Sequence, residues 1–395
     1  MPPSPDPADL QARATELLAR LVAFDTTSRR TNLELIEFVE ALLAGLGVAS
    51  RRVANADGSK ANLYATLGPA VEGGVVLSGH TDVVPVDGQP WTSDPWTLTE
   101  RGWRLYGRGT CDMKGFLALA LAAAPAFAAS GRGGRPVHLA FSYDEEVGCL
   151  GAPAMIERLR AELPAPAAVI VGEPTSMGAV RGHKGIATWV VTVRGHEAHS
   201  SLTHLGLSAN MAAIGLLARL KALAEELERA DPRGASDFVP PHPTLTVGLL
   251  RGGTAVNILA RECSFAFDLR CPPGVDPEAL LAPFFAAATA LDAELRARFP
   301  DSGVEVARRS LTPAFAPEPD GAAERLARSL AGDSGPGAVV AYAAEAGQFQ
   351  QAGFSTVICG PGSIEQAHQP NEYLAVDQLA RGAAFMARLA EAMSA

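Results

Sequence analysis

The chain has 395 residues, of which 48% are hydrophobic and 19% are charged, and its formal net charge is −10. This length exceeds what one hydrophobic core usually supports, so two domains are expected, although a single large α/β domain is also possible. The composition predicts a soluble globular protein, and the acidic balance argues against nucleic acid or an anionic membrane as its main partner.

Helical and strand patterns alternate along the first part of the chain. Apolar residues recur at helical spacing over residues 10–21, and a second helix is predicted to begin after an Asn32 cap and to run to Gly45. Residues 115–129 are almost entirely apolar, which predicts a helix buried against a sheet. This alternation is typical of a catalytic α/β sheet.

Apolar runs that precede acidic residues or histidine are the most informative feature of the sequence. The runs cover residues 75–79, 137–143, 168–172 and 356–360. They lead, in this order, into His80 with Asp82, Glu145 with Glu146, Glu173, and a Gly-rich loop that carries His368. Such runs suit strands covered on both faces, and open α/β sheets bind ligands at the carboxyl ends of their strands. We therefore expect these side chains to meet in one crevice as a metal site.

The pattern changes in the middle of the chain. Residues 186–193, 245–250 and 262–269, with a short segment near Val304, read as strands, and residues 207–228 and 277–299 read as helices. Their order, βαββαβ, is the ferredoxin-like pattern. Because α/β character resumes afterwards, residues 184–309 are predicted to be an insertion between two parts of one catalytic domain, 1–183 and 310–395.

His80 alone admits two interpretations, because a histidine after a strand is often a hydrogen-bonded structural residue. Asp82 lies two residues further along an extended segment and therefore on the same side as His80. A metal-bound imidazole normally donates its other N–H to a carboxylate, and Asp82 can accept it. This pairing favours a metal ligand.

Asp112 lies in a glycine-containing turn, residues 107–115. It could cap the following helix. A carboxylate can also bridge two cations about 3.5–4 Å apart, and such a pair needs a bridge to offset its repulsion. We prefer the bridging role.

Glu145 and Glu146 are adjacent acids just past a predicted buried strand. They could belong to a solvated loop. In an extended segment neighbouring side chains point in opposite directions, so Glu146 could bind metal while Glu145 faces a water molecule as general base. Glu173 and His368 would complete two ligand shells, and mixed nitrogen and oxygen ligation favours zinc, with cobalt or manganese as substitutes.

These residues carry a family resemblance that covers nearly the whole chain. The motifs, in chain order, are His80-Thr81-Asp82, residues 109–115, Glu145-Glu146 and Gly172-Glu173-Pro174-Thr175. With them the chain resembles the co-catalytic zinc amidohydrolases, which include acetylornithine deacetylases, succinyl-diaminopimelate desuccinylases, aminoacylases and glutamate carboxypeptidases. Within that family, residues 345–350 and 360–372 look most like acetylornithine deacetylases.

The resemblance implies a zinc-exopeptidase-like catalytic domain with a mixed, mostly parallel sheet, interrupted by the ferredoxin-like insertion as a lid and dimerisation domain. It implies two zinc ions per subunit and a homodimer. The implied roles are as follows: His80 and Glu173 hold one zinc, Glu146 and His368 hold the other, Asp112 bridges them, and Glu145 is the base.

Three residues of the insertion match further family positions. His199, in the segment Gly195 to Ser201, matches a histidine that stabilises the tetrahedral oxyanion, in many members from the partner subunit. Asn257 and Arg270 match segments that contact the substrate carboxylate, which a guanidinium can bind with two parallel hydrogen bonds. A surface histidine and an arginine that forms an ion pair at a strand end are the alternatives.

The function that the resemblance implies is hydrolysis of the amide bond of an N-acyl amino acid, with N2-acetyl-L-ornithine as the leading substrate. A desuccinylase, or a broader aminoacylase or carboxypeptidase, would share every metal ligand. A non-enzymatic metal-binding protein of the same fold is the alternative from another class, but Glu145 beside Glu146 argues against it.

The cysteines and the N-terminus bear on the compartment. Five cysteines, an odd number, lack the paired spacing of a zinc knuckle or a disulfide framework, which indicates a reducing environment. The N-terminus has no basic segment followed by an apolar one, and no apolar run appears long enough to span a bilayer. The sequence therefore predicts a cytoplasmic enzyme with a small-molecule substrate.

Overall fold

The computed structural model describes residues 5–130, 133–230, 237–335 and 337–394. The chain forms two compact units. Unit 1 comprises Met1–Gly182, Phe315–Val339 and Ala344–Ala395, and unit 2 comprises His183–Ala314 and Val340–Ala343.

Unit 1 is built on an eight-stranded mixed sheet. Its strands are β1 (Ser50–Ala54), β2 (Ala61–Leu67), β3 (Val75–His80), β6 (Val137–Ser142), β7 (Ala168–Val171), β8 (Val180–His183), β13 (Ala338–Val340) and β14 (Thr356–Ile358). They lie in the order β1-β2-β6-β3-β7-β14-β8-β13. The four central strands β6, β3, β7 and β14 run parallel, whereas β1 and β2 are antiparallel additions at one edge. The α/β class predicted from the sequence is confirmed.

The parallel strands are buried along their whole length. Every residue of β3, β6, β7 and β14 is buried, as expected for strands that helices cover on both faces. In register, His80 at the end of β3 pairs with Ser142 at the end of β6, and Val171 of β7 pairs with Ile358 of β14. The carboxyl ends of these strands are therefore level with one another at one edge of the sheet.

Within the described ranges of unit 1, seven α-helices pack around this sheet. They are α1 (Pro7–Val22), α2 (Leu33–Gly45), α3 (Gly115–Ala128), α4 (Ala152–Glu162), α7 (Ala322–Ala331), α8 (Ala346–Gln351) and α9 (Val376–Ser394). Helices α1, α3, α7 and α9 pack on one another, whereas α4 and α8 form a separate group against β2, β6 and β14. A small antiparallel sheet of β4 (Thr99–Arg101), β5 (Arg104–Tyr106) and β15 (Tyr373–Ala375) completes unit 1.

Helix α3 is the predicted apolar helix, and it is buried almost completely. The stretch Thr110–Ala128, which is interrupted by Asp112 and Lys114, is by length and composition apolar enough to cross a membrane. In the structure 83% of it lies inside the fold. It is a core helix on which α1 and α9 pack.

Unit 2 is a four-stranded antiparallel sheet with two helices. Its elements are β9 (Gly185–Arg194), α5 (Ala209–Arg229), β10 (Thr244–Gly252), β11 (Glu262–Cys271), α6 (Pro277–Arg298) and β12 (Gly303–Thr312). The strand order β10-β11-β9-β12 and the βαββαβ sequence of elements confirm the ferredoxin-like prediction. Buried residues alternate along β9 and β11 because α5 and α6 pack on one face of the sheet.

Side-chain caps define where both helices of unit 2 begin. Ser208 accepts a hydrogen bond from the Met211 N–H at the start of α5. Asp276 accepts one from the Glu278 N–H at the start of α6, and Pro277 occupies the first turn, where a missing N–H costs nothing.

Candidate metal centre

His80 is the last residue of β3, and its ring is almost completely buried. Its Nδ1 lies 2.8 Å from the backbone carbonyl of Asp82 and 3.7 Å from the nearer carboxylate oxygen of that residue. The sequence predicted that the Asp82 carboxylate accepts the imidazole N–H, whereas in the structure the Asp82 backbone carbonyl accepts it. Because Nδ1 donates to this carbonyl, Nε2 is left to face the rest of the cluster.

The carboxylate of Asp82 instead holds the loop after β6. Its two oxygens accept hydrogen bonds from the N–H groups of Glu145, at 3.1 Å, and Glu146, at 3.3 Å. The Ser28 hydroxyl donates to it as well, at 2.7 Å. Asp82 therefore acts on His80 through its backbone and on the two glutamates through its side chain.

Glu145 and Glu146 lie in a turn, so the predicted extended segment is wrong. Asp144 has a φ of 58°, in the left-handed region, and the chain bends there. The Glu145 carbonyl accepts hydrogen bonds from the N–H groups of Gly148 and Cys149, which closes the turn. The sharp bend is what allows both glutamate N–H groups to reach one carboxylate.

Asp112 lies in the irregular turn just before α3. Its Oδ1 is 3.0 Å from Nε2 of His80, and its Oδ2 is 3.3 Å from Nε2 of His368. The alternative role as a helix cap is not observed, because the residue at the N-cap of α3 is Lys114. Each oxygen of Asp112 faces a different histidine, which is the arrangement that a bridging carboxylate needs.

Two glycines bring the ends of β7 and β14 together. A Cβ atom on Gly172 would lie 2.1 Å from the Phe116 ring, and one on Gly360 would lie 2.1 Å from the carbonyl oxygen of Gly172. Neither position has room for a side chain. This close approach places Glu173 and the loop that carries His368 at the same edge of the sheet.

The ligand atoms form two groups that share Asp112. The groups are His80, Asp112 and Glu173, and Asp112, Glu146 and His368, with the ligand atoms of each group within 4.8 Å of one another. Within them, Nε2 of His80 is 3.8 Å from Oε1 of Glu173, and Nε2 of His368 is 2.9 Å from Oε2 of Glu146. Two donors about 2.0–2.2 Å from one zinc ion at a tetrahedral angle would be about 3.3–3.6 Å apart, so the spacing suits a metal.

Burial and mutual repulsion shift the acidic groups of the cluster. Burial and the neighbouring Asp112 raise the pKa of Glu146 to about 7. Burial also raises the pKa of Glu145 and that of Glu173 well above the ordinary range, against the attraction of His80. Burial is the largest cause of each shift and the neighbouring carboxylates add to it, so a bound cation would favour the charged forms of these glutamates.

The histidines and Asp112 shift in the opposite sense. Hydrogen bonds with Asp112 and Glu146 raise the pKa of His368 to about 10. Burial lowers the pKa of His80, but Asp112 and the surrounding carboxylates outweigh it, and the pKa rises well above its usual value. Burial raises and the two histidines lower the pKa of Asp112, with a net decrease. The carboxylates therefore favour a positive charge at each of these imidazole nitrogens, which either a proton or a bound metal ion would supply.

Two buried oxygens provide a direct test of whether the residues fit a metal. Oε1 of Glu146 and Oε1 of Glu173 are buried, and neither has a hydrogen-bond partner among the residues that the structure describes. Buried carboxylate oxygens normally have hydrogen-bond partners, so two buried oxygens without partners in one cluster call for an explanation. Coordination of a cation would give both oxygens a partner.

Glu145 belongs to neither donor group. Its Oε1 lies 3.3 Å from the Cys149 thiol, and its backbone is held by Asp82. Beneath the cluster, the buried carboxylate of Glu345 accepts hydrogen bonds from the hydroxyls of Ser78 and Ser142, and burial raises its pKa to about 7.

His199 and Asn257 are neighbours in unit 2. The backbone of His199 pairs with that of Ile258, and the Ser200 N–H donates to the carbonyl of Asn257. Both residues are exposed, and Nδ1 of His199 lies 2.7 Å from the Ser201 hydroxyl. The surface alternative for His199 is thus compatible with its environment in unit 2.

Arg270 lies near the other end of β11. Its Nε donates to Asp268 at 3.1 Å, and its Nη1 donates to the carbonyl of Ala341. The strand separates it from the His199 and Asn257 pair, which lies beyond Glu262 at the opposite end. The three predicted residues of unit 2 are therefore not gathered into one cluster within that unit.

Sequence reasoning missed the residues that support the ligands. Ser28 holds Asp82, and the buried side chains of Glu372 and Arg108 lie behind Asp112. The only sequence signal for Glu372 was its place in the 360–372 segment. It lies 260 residues from Asp112 in the sequence, so no local pattern connects the two residues.

Comparison with known proteins gives a consistent result. The sequence pattern of Peptidase family M20/M25/M40 matches residues 76–392. The chain is 36% identical over 388 residues to an acetylornithine deacetylase from Myxococcus xanthus, a match that covers 95% of this chain and 96% of the relative. It is 33% identical over 373 residues to an acetylornithine deacetylase from Pasteurella multocida, covering 92% and 93% of the two chains.

Solved structures share the fold. A metallo-carboxypeptidase of the M20 family from Sulfolobus solfataricus superposes with a TM-score of 0.75 at 17% identity, covering 96% of this chain and 99% of that one. A Bacillus subtilis protein described as a dinuclear metal-binding peptidase of the same family gives a TM-score of 0.62 at 14% identity, with 98% of both chains covered.

Proposed function

The chain belongs to Peptidase family M20/M25/M40 and is a metal-dependent amidohydrolase, and we propose that it hydrolyses N2-acetyl-L-ornithine to L-ornithine and acetate. The shared-carboxylate cluster is the observation that carries the hydrolytic function, because its two donor groups meet at Asp112. The substrate comes from the deacetylase relatives, which match this chain nearly from end to end. Release of ornithine would serve arginine biosynthesis.

The proposed metals are two zinc ions per subunit, which cobalt or manganese could replace. His80 and Glu173 would hold one and Glu146 and His368 the other, with Asp112 between them. Imidazole nitrogens and carboxylate oxygens are ligands that suit zinc in hydrolytic sites. When bound, such a pair supplies Lewis-acid activation of water and of the amide carbonyl.

Glu145 is the proposed general base. It lies outside both donor groups, so its carboxylate would not be occupied by a metal and could take a proton from the attacking water. The same carboxylate would return that proton to the leaving amine. Asp82 sets the position of Glu145 through the backbone hydrogen bond, and it sets the tautomer of His80 through its carbonyl.

Unit 2 is the proposed lid. In this proposal His199 donates to the oxygen that becomes negative in the tetrahedral intermediate, and Asn257 and Arg270 bind the substrate carboxylate. The exposure of His199 and Asn257 supports a role toward a group outside unit 2. Exchange of inactive His199→Ala and Glu145→Gln subunits would determine whether His199 serves its own subunit or the partner.

A homodimer through unit 2 is part of the proposal. The edge strand β10 carries Leu249 and Leu250, which are 59% and 58% exposed, and the adjacent helix α5 carries Met211 and Ile214, which are 70% and 54% exposed. Exposed apolar side chains clustered in this way are typical of an interaction surface. Analytical ultracentrifugation of the wild type and of a Leu249→Lys, Ile214→Lys double variant tests it, with a monomeric wild type as the contrary result.

A cytoplasmic location is proposed with this function. All five cysteines of the chain are buried, and Cys111, Cys263, Cys271 and Cys359 are free thiols. This usage suits a reducing compartment.

A substrate panel tests the function. The zinc-loaded protein would be assayed with N2-acetyl-L-ornithine, an N-succinyl diamino acid, other N-acetyl amino acids and a dipeptide. The expected result is the highest kcat/KM for acetylornithine. A preference for the succinylated substrate would identify a desuccinylase, and no hydrolysis of any member would favour a metal-binding protein without catalytic activity.

A further inference from the structure

A buried carboxylate behind the cluster organises the turn that presents Asp112. Glu372 is 1% exposed, and its Oε1 accepts hydrogen bonds from the N–H groups of Cys111, at 2.8 Å, and Asp112, at 3.0 Å. Its Oε2 accepts one from the Gly109 N–H, at 2.9 Å. One side chain thus satisfies three backbone donors of a single turn, and these donors would otherwise be buried without partners.

Arg108 neutralises this carboxylate and extends the contact. Its Nη1 donates to Oε2 of Glu372 at 2.8 Å, and both side chains are 1% exposed. A buried ion pair of this kind costs desolvation energy, so its presence calls for a specific role. The Nη2 of Arg108 donates to Oε1 of Gln89 at 2.5 Å, on the side away from Glu372.

Gln89 carries the contact to the second ligand loop. Its Nε2 donates to the backbone carbonyl of His368 at 3.1 Å, and its Oε1 also accepts from the Trp91 indole N–H at 3.0 Å. Nearby, the N–H and hydroxyl of Thr92 both donate to the side-chain oxygen of Asn371 at 2.8 Å. The loop that contains Gln89 is therefore fastened to the His368 loop at two points.

These contacts form one continuous path between two ligands. It runs from the Asp112 N–H through Glu372, Arg108 and Gln89 to the His368 carbonyl. The side chains at its two ends approach each other at 3.3 Å and belong to the same donor group. The backbone of His368 has a φ of 62°, a conformation that L side chains adopt rarely and that surrounding contacts must hold in place.

We propose that Glu372 is a positioning residue for the metal centre, and that Arg108 and Gln89 transmit its effect to His368. The path fixes the distance between Asp112 and His368 before a metal binds, so the group formed with Glu146 is preorganised. This inference rests on the proposed metal-dependent function. It assigns no contact with substrate to any of the three residues.

Metal titration of purified protein tests the proposal. Zinc would be added in competition with a chromophoric chelator to wild type and to Glu372→Gln, in which an amide replaces one acceptor oxygen. Residues that orient metal ligands typically contribute about 10–100-fold to metal affinity. We expect both ions to bind more weakly, by about 10–100-fold for the ion of the group Asp112, Glu146 and His368 and by less for the ion of the group that contains His80, while KM at saturating zinc is nearly unchanged.

Glu318 supplies a matched control. Its carboxylate also accepts a backbone N–H, that of Thr356 at the amino end of β14, and a hydroxyl, that of Ser355. It therefore fastens the same unit at a place remote from the cluster. Glu318→Gln should lower the unfolding temperature without changing the affinity for either ion.

Gln89→Glu keeps the proposal testable if Glu372→Gln does not fold. Gln89 is only partly buried, and the substitution retains the acceptor for Arg108 while removing the donor to His368. This substitution should lower the affinity for the ion of the group that contains His368. If the wild type binds two ions and neither variant changes their affinities, the positioning role is overturned and the proposed function stands. If the wild type binds no zinc, both are overturned.

Discussion

The candidate carboxylate ligands of unit 1 and the His199 and Asn257 side chains of unit 2 differ in burial, and the His368 ring of unit 1, which is 52% exposed, is intermediate between them. In unit 1 the ligand side chains of Asp112 and Glu146 are 7% and 6% exposed, and their oxygens lie within hydrogen-bond distance of histidines. In unit 2, His199 and Asn257 are exposed. The first arrangement is a charged cluster assembled by the fold itself, and the second is a pair of surface side chains on neighbouring backbone segments.

This difference indicates a division of labour. A cluster that gathers several buried carboxylates is costly unless a cation is bound, so unit 1 should determine metal binding. Exposed side chains contribute little to stability or to the charge of the cluster, so unit 2 should affect substrate binding and turnover but not metal binding. The comparison is therefore open to substitutions that separate metal binding from catalysis.

The largest effect is expected at the residue that both donor groups share. Asp112→Ala should remove both metal sites and lower kcat/KM by at least about 10³-fold, because a metal pair supplies several kcal/mol of transition-state stabilisation. Metal content measured by mass spectrometry, together with steady-state rates, checks this. The control is Glu365→Ala, an exposed acid in the His368 loop that should retain two ions and normal rates.

Chelation should reproduce the loss in wild-type protein. Dialysis against a chelator is expected to abolish activity, and added zinc should restore it. Activity that survives complete removal of metal would contradict the role assigned to unit 1.

The substitution Glu145→Gln should separate metal binding from catalysis within unit 1. Because Glu145 lies outside both donor groups, the variant should still bind two ions, while kcat falls by about 10²–10⁴-fold, the usual contribution of general acid–base catalysis. Near-normal turnover with both ions bound would show that the base is another group. Loss of an ion would show that Glu145 is a ligand.

His199→Ala tests the role of unit 2. The loss of one preorganised donor to an oxyanion typically costs about 10²–10³-fold in kcat, and the two ions should bind as in the wild type. His204→Gln is the control, since His204 is an exposed histidine of the same unit. An altered metal content in His199→Ala would break the comparison between the units.

Mixed subunits determine where His199 acts. Inactive His199→Ala and Glu145→Gln subunits would be exchanged to form heterodimers. Recovery of part of the wild-type activity is expected if the histidine serves the partner's site, and no recovery after verified exchange would argue for action within one subunit.

The sequence predicted those parts of the site that depend on local pattern. Buried strands ending in His80 or preceding Glu173 could be recognised from apolar runs, because a strand and the residue after it are continuous in the chain. The parallel arrangement followed from the same runs, since strands of this kind are covered on both faces. The ferredoxin-like order of unit 2 followed from alternating strand and helix patterns.

Contacts between distant segments could not be predicted in this way. The carboxylate of Asp82 binds the Glu145 N–H, 63 residues away, because Asp144 bends the chain into a turn. Neither the bend nor its partner has a distinctive sequence signal. Glu372 reaches Asp112 across 260 residues, and its role depends on burial beside Arg108, which no local pattern reveals.

A smaller effect concerns stability in acid and contrasts the histidines of the two units. His138 of unit 1 is 1% exposed, its Nε2 has no hydrogen-bond partner in the described part of the chain, and burial lowers its pKa to about 4. His204 of unit 2 is exposed. Acid should therefore destabilise the protein in part through His138.

Between about pH 4 and pH 6.5 the unfolded chain binds a proton at His138 that the folded protein excludes, so the stabilising effect of its burial is complete above pH 6.5 and is lost as the pH falls toward 4. The expected loss between pH 7 and pH 5 is about 2 kcal/mol. Urea unfolding of the metal-free wild type and of His138→Leu at both pH values measures this loss. The free energy of unfolding should fall between pH 7 and pH 5 by about 2 kcal/mol less in the variant than in the wild type. His204→Gln should follow the wild type, and an equal pH dependence in His138→Leu would show that the buried imidazole is not a source of acid sensitivity.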